Sequence, residues 1–246
     1  IEEASTYVKN DDRSGTYAHF NCFLPKDKSE VKSYYYQSIT DLQETIDELK
    51  SKYELVQFNH PLFSRFLDNE HLALHGYDLI EIYNHKDFVE ETGMSNAENL
   101  IRTMLNNHKK FWISANDDFH GPHYGTKNDK CFGGFVMVDA NNDEESILHA
   151  LKDGYFYPST GPMIKDFRRE GNIFKIETTP VKRIIFYSNM RRCKNIFDLN
   201  DEEITHGEYE LRGNEYYLWV KIIDKDGKLA WSPVSYTHLT LPTIRL

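Results

Sequence analysis

Phe111-Trp-Ile-Ser-Ala-Asn-Asp-Asp-Phe-His120 decides the reading of the fold. Phe111 to Ala115 is a short apolar run of strand length. The chain then turns polar, and Asp118 and His120 flank one sharp turn at the strand's end. The same design occurs twice upstream. A strand expected over 55–58 runs into Asn59-His60-Pro61, and one expected over 79–82 runs into Tyr83-Asn84-His85. Helical patterns lie between them. Asp41 to Lys52 carries Leu42, Ile46 and Leu49 on one face, behind a Thr40-x-x-Gln43 capping box. Ser95-x-x-Glu98 is expected to cap a second helix, which buries Leu100, Ile101, Met104 and Leu105.

Outward from this centre the alternation continues. Ala18 to Leu24 alternates in strand fashion, with His19, Asn21 and Phe23 on one face. Phe135 to Val138 reads as a strand. Asp143 to Lys152 reads as a short helix, with acids in its first turn and Gly154 just past its end. This β-α-β rhythm predicts an α/β fold built on a mainly parallel sheet or barrel over 1–162. After Pro162 hairpins replace it. Strands are expected at 174–178, 184–187, 209–211 and 216–223, with Gly213-Asn214 and Asp226-Gly227 as turns. A small antiparallel β module over 163–233 follows.

Bulk properties narrow the function. The 246 residues include 39 acidic and 29 basic side chains, a net charge of −10. No basic stripe offers the phosphate-neutralising surface that nucleic-acid binding needs. No apolar run approaches the roughly 20 residues that span a bilayer. Cys22, Cys131 and Cys193 are odd in number and far apart, so they make neither a metal knuckle nor a disulfide framework; they read as idle thiols.

The three strand ends carry the chemistry. In βα barrels the C-terminal strand ends converge on one mouth, where the active site lies. Carboxylate and imidazole together at such a mouth suit divalent transition metals. A single His after a strand is more often a loop or capping residue. Asp-x-His is a stronger signal, and several such groups on one rim are stronger still.

At this point a resemblance becomes specific. Ala18-His-Phe-Asn-Cys22, Asn59-His-Pro61, Asp78-Leu-Ile-Glu-Ile-Tyr-Asn84, Asn116-Asp-Asp-Phe-His-Gly121 and Gly154-Tyr-Phe-Tyr-Pro-Ser-Thr-Gly-Pro162 resemble the polymerase and histidinol phosphatase (PHP) superfamily, in its carbaryl-hydrolase-like branch. The resemblance implies an incomplete, distorted (β/α)7 barrel. It implies a metal-dependent hydrolase, a phosphoesterase first, acting through a metal-bridging hydroxide. The parent would hold two or three divalent ions: zinc, manganese or iron. Glu3 would bridge them, with Glu2 as rival. His19 and His60 would ligate one ion, Asp118 another and His120 a third. Asp118 and His120 would carry the catalytic role. Arg65, after the His60 loop, would meet a substrate phosphate. The expected partner is a small-molecule phosphate ester or related ester.

The resemblance also implies losses. The family's opening His-x-His motif is absent, so the chain reads as a fragment whose first motif lay upstream of Ile1. Only part of each site then survives, so the fragment is expected to bind metal weakly or not at all and to be inactive, although its parent is an enzyme. Val234-Ser-Tyr-Thr-His-Leu-Thr-Leu-Pro-Thr243 resembles a translated sequencing adapter, which would make 234–246, His238 included, foreign to the fold. A cytoplasmic location is favoured, with secretion of the parent left open.

Other residues carry weaker signals. His123 and Tyr124 would lie in a loop over the mouth, and His85 near it. Ser159-Thr160-Gly161 has no identifiable base and reads as a structural turn. Gly133-Gly134 reads as a tight turn before a strand. Two alternatives use the same residues differently. One cleaves a carbamate or amide on the same metals. The other makes the barrel a scaffold and gives glycan or protein binding to the β module, through Tyr216, Tyr217 and Trp219.

Overall fold

The computed structural model describes residues 1–8, 17–26, 33–120, 131–191, 193–237 and 244–245. The chain divides into two compact units, 1–114 with 118–129, and 115–117 with 130–246. Thus the segment 135–159, expected to belong with the first domain, belongs to the second unit.

The first unit is built on strands β1 (Glu2–Val8), β2 (Tyr17–Pro25), β3 (Tyr34–Tyr36), β4 (Tyr53–Phe58), β5 (Leu79–Asn84) and β6 (Trp112–Asn116). They form one sheet in the order β3-β1-β2-β4-β5-β6. This is an open path; among the described residues no closed barrel forms. The sheet is mixed rather than mainly parallel, which corrects the sequence expectation. β1 pairs with β2 and β2 with β4 antiparallel, whereas β4–β5 and β1–β3 run parallel. The β-α-β rhythm predicts parallel neighbours only where a helix crosses between paired strands. β1 and β2 are consecutive strands that pair antiparallel, and β2 and β4 do so although α1 lies between them in sequence, so the rhythm of elements does not by itself fix strand direction.

Strand alternation sorts the two faces. Ala18, Phe20 and Cys22 of β2 are fully buried, and Phe20 stacks on Phe58 of β4 with ring centroids 5.2 Å apart. Burying one such ring stabilises by about 1.5–3 kcal/mol. His19 and Asn21 take the opposite face, as expected from the period of two.

Helices α1 (Ile39–Lys52), α2 (Asp68–Ala73), α3 (His85–Val89) and α4 (Glu98–Asn106) complete this unit. α1 buries Leu42, Ile46 and Leu49, as its spacing predicts. Its cap is not Thr40. The Ser38 hydroxyl accepts from the Asp41 amide at 3.2 Å, and Asp41 accepts from the Gln37 amide at 2.9 Å. Gln43, freed from capping, ties down the loop before β5: it donates to the His75 carbonyl at 3.0 Å and accepts from the His75 amide at 2.9 Å. α4 buries the four expected residues, but its N-cap is Ala97 with no side-chain bond. Asn96 takes the Glu98 amide at 2.9 Å, while the Ser95 carbonyl accepts the Asn84 amide at 2.9 Å. Both caps lie two residues from their expected positions, because polar residues cluster before each helix and capping-box spacing alone does not choose among them.

The second unit runs β7 (Phe135–Val138), α5 (Glu144–Asp153), β8 (Phe156–Ser159), β9 (Ile164–Glu170), β10 (Ile173–Val181), β11 (Arg183–Ser188), β12 (Lys194–Ile196), β13 (Ile204–Glu210), β14 (Tyr217–Ile223), β15 (Leu229–Trp231), β16 (Ser235–Tyr236) and β17 (Ile244–Arg245). One sheet has the order β13-β10-β9-β17, and the other β12-β11-β14-β15-β8-β7 with β16 beside β14. Its registered pairs are antiparallel, as expected of hairpins. Phe167, Phe174 and Ile176 of one sheet share a buried core with Ile184, Phe186 and Val220 of the other. Asp143, expected inside α5, instead caps it by accepting the Ser146 amide at 2.8 Å, and the expected Gly154 ends it at φ 81°. In the stretch that resembles an adapter, Val234 is fully buried and Ser235–Tyr236 pair with β14; His238 lies outside the described residues.

Candidate metal centre

Two adjacent strands begin the site. In the β1–β2 ladder Ser5 faces His19 and Glu3 faces Asn21, so Glu3 and His19 are diagonal neighbours on one face. The diagonal is bridged: His19 Nδ1 lies 3.0 Å from Glu3 Oε1. That bond is the main reason the Glu3 carboxyl is held below its usual range; the electrostatic attraction of His19 adds to it against the opposing effect of burial. Glu2 points elsewhere. Its carboxylate accepts from the Tyr53 hydroxyl at 2.5 Å. Alternation therefore puts Glu3, not its rival, beside the imidazoles.

His60 follows β4. Its amide donates to Glu81 of β5, and the Asn59 amide donates to the His19 carbonyl at 2.9 Å. An amide ladder steadies the same turn, with Gln57 donating to Asn59 and Asn59 to Asn21, both at 2.9 Å. The His60 ring stands at 75° to His19, centroids 5.0 Å apart. His60 is 6% exposed, and burial pushes its pKa down to about 4. Its Nδ1 is buried without a hydrogen-bond partner among the described residues. A buried polar atom left so is uncommon and costs about 1–3 kcal/mol.

Asp118 and His120 follow β6. Asp118 Oδ2 accepts from Asn84 Nδ2 at 3.3 Å. His120 Nδ1 is 2.7 Å from the Asp118 carbonyl and 3.8 Å from Asp118 Oδ1. His60 and Asp118 both hold positive φ, 27° and 52°. Such backbone costs about 1–3 kcal/mol at a non-glycine residue, and it gathers where side chains are aimed for a purpose.

These groups face one cavity of about 70 Å³, lined by Tyr17, His19, His60, Lys86, Asp118 and His120 among others. Four of the five expected ligands line it, and Glu3 joins them through His19. They are not yet a tight cluster: among the described residues no three His, Cys, Asp or Glu stand at metal-ligand spacing. The donor set nevertheless fits a borderline divalent ion, being imidazole nitrogen with carboxylate oxygen. His60 Nδ1 is the sharpest sign of fit, a buried nitrogen without a hydrogen-bond partner among the described residues, in a ring that burial favours in the neutral form a metal ligand needs.

The remaining expectations fall elsewhere. Arg65 is exposed and does not line the cavity. His85 lies beside Tyr83, whose hydroxyl is 3.4 Å from its Nδ1. Ser159 is a turn residue, donating to the Pro162 carbonyl at 2.7 Å and accepting the Gly161 amide at 2.9 Å. Gly133 and Gly134 give their amides to Asp117, each at 2.8 Å. His123 and Tyr124 lie outside the described residues. Tyr217 and Trp219 are fully buried, so they are core rather than a ligand-binding surface. Burial also raises the Cys22 thiol to about 12, which leaves it idle.

Sequence reasoning missed Glu81, Lys86, Asp87 and Tyr17. Glu81 had a visible signal. A carboxylate inside the apolar run Leu79-Ile-Glu-Ile-Tyr-Asn84 must find buried partners, and it is 2% exposed. Lys86 and Tyr17 had none, because only the fold brings them to the cavity. No helix among the described residues is long and apolar enough to cross a membrane. Comparison with protein-family models, curated proteins and solved structures finds no match in any of the three.

Proposed function

We propose that this chain carries part of the site of a metal-dependent hydrolase, a phosphoesterase of the PHP kind, with the six-stranded sheet as part of its distorted barrel. The observation that carries the proposal is His60: a buried, neutral imidazole with an orphaned Nδ1 on a strained turn, in one cavity with His19, Asp118 and His120. His19, His60, Asp118, His120 and Glu3 would hold the ions. Divalent zinc, manganese or iron would lower the pKa of a water and take up charge on the scissile group.

The chain's own groups do the positioning. Glu3 fixes the His19 ring through Nδ1 and leaves Nε2 as its other nitrogen; a carboxylate has lone pairs enough to serve an ion as well. Asn84 orients Asp118, and Glu81 holds the His60 turn. Such outer partners typically matter by about 10–100-fold in metal affinity. A carbamate or amide hydrolase would use the same residues, and no observation favours it.

The test is a manganese and zinc titration of the purified chain beside a phosphoesterase screen. Wild type should bind at least one ion. Asp118→Ala with His120→Ala should weaken binding by about a hundredfold, near 2.7 kcal/mol. Unchanged affinity in that double variant would sink the proposal.

A further inference from the structure

One wall of the cavity is not used by the metal reading. Lys86, in the first turn of α3, lines it alongside His19, His60, Asp118 and His120. Among the described lining residues it is the one Lys or Arg. Its side chain is 22% exposed, and its Nζ bonds Glu90 Oε2 at 2.9 Å one turn on. Burial works against the ammonium. The Glu90 bond, then the charges of Asp118 and Asp87, outweigh it and hold its pKa above the ordinary lysine range. The charge therefore persists at neutral pH. Lys86 and Asp118 line the same cavity, so the ammonium shares it with the proposed ligands. Arg65, by contrast, is exposed and outside the lining.

We propose that Lys86 is the specificity residue of this site: its ammonium takes the free oxyanion of the ester substrate, the role the sequence assigned to Arg65, and Glu90 competes for it. The inference rests on the metal reading above and deepens it. The cavity's volume of about 70 Å³ holds a few water-sized groups, which suits a compact oxyanion rather than a bulky ring. The ammonium is a compact charge with three donors on a flexible stem. It can exchange Glu90, a partner 37% exposed to water, for an oxyanion that enters the cavity.

The experiment is calorimetric titration of inorganic phosphate into the manganese-loaded full chain, for wild type, Lys86→Met, Glu90→Gln and Arg65→Met. Lys86→Met should weaken phosphate binding about tenfold or more without weakening manganese binding, since it removes a positive charge from beside the ligands. Glu90→Gln should act in the opposite direction, tightening phosphate binding about threefold. Arg65→Met should leave it unchanged. A residue that merely supports the fold would not give opposite signs for Lys86 and Glu90. Phosphate affinity indifferent to Lys86→Met, or lost in Arg65→Met instead, overturns the inference. So does wild type that binds manganese but no phosphate. If Lys86→Met fails to fold, an unchanged phosphate isotherm in Glu90→Gln overturns it alone. A flat manganese titration of wild type overturns the metal reading, and this inference with it.

Discussion

Each unit buries a glutamate, and the two are used differently. Glu215 of the second unit is 4% exposed. It accepts from the Tyr209 hydroxyl at 2.7 Å and from the Arg212 and Gly213 amides, both at 3.0 Å. Its partners are close in sequence, and it closes the turn between β13 and β14. Glu81 of the first unit is 2% exposed. It accepts from the His60 amide 21 residues away and from Asn84. Both carboxylates satisfy buried donors, as buried polar groups must. Only Glu81 steadies a turn that carries an unsatisfied ring nitrogen. The contrast separates polar burial that serves the chain's own turns from polar burial that presents a group to a cavity.

If that contrast is sound, damage to the second unit should be costly and chemically silent. Trp219 is fully buried and packs against Tyr187, ring centroids 5.3 Å apart and planes tilted by 33°. Trp219→Ala should cost about 3–5 kcal/mol in urea unfolding, while manganese affinity of the folded chain stays as in wild type. A large affinity loss without unfolding would break the comparison. The Asp118→Ala, His120→Ala pair should give the mirror image, with affinity lost and little change in stability.

A smaller effect tests whether burial of an imidazole in the first unit is by itself a metal signal. His71 is 2% exposed, packed on Phe58 and Phe66, and its Nδ1 has no hydrogen-bond partner among the described residues. Burial lowers its pKa to about 4. The folded state therefore refuses a proton that the unfolded chain accepts near pH 6.5. Stability from His71 is full above pH 6.5 and is lost as pH falls toward 4, by up to about 3 kcal/mol. His71→Phe should flatten that part of the stability–pH curve and leave metal binding untouched. A curve as steep as wild type's would show that other groups set it. The smallest effect concerns α1. Ser38→Ala should cost about 1 kcal/mol in unfolding and Thr40→Ala nearly nothing; the reverse order would restore the cap predicted from sequence.

What the sequence disclosed was what local rules govern. The buried faces of α1 and α4, the alternation of β2, and the turn at Asp226-Gly227, where Gly227 has φ 77°, all follow from spacing and residue type. So does the placement of His60 and Asp118 just after strands. Partners distant along the chain were not legible. Glu2–Val8 gave no strand signal, because its polar start is understood only once β2 lies beside it. The antiparallel pairing of β1, β2 and β4 depends on which strands meet, and periodicity is silent on that. Lys86 sits in a polar stretch resembling any solvated helix start, so nothing marked it as a cavity wall. The choice between Glu2 and Glu3 needed only one fact, which face His19 takes, and the pairing supplied it.

His60 and Asp118 stand at backbone angles that glycine adopts without strain. Replacing either with glycine would remove that strain, worth about 1 kcal/mol, offset in part by the freer unfolded chain. Backbone strain alone does not favour histidine and aspartate there; against it stand the packing of the buried His60 ring and the Asn84–Asp118 hydrogen bond. Sequencing natural variants of this chain thus becomes an assay of selection. Side chains retained at 60 and 118, amid substitutions elsewhere on the same turns, would show that the cavity is under functional constraint.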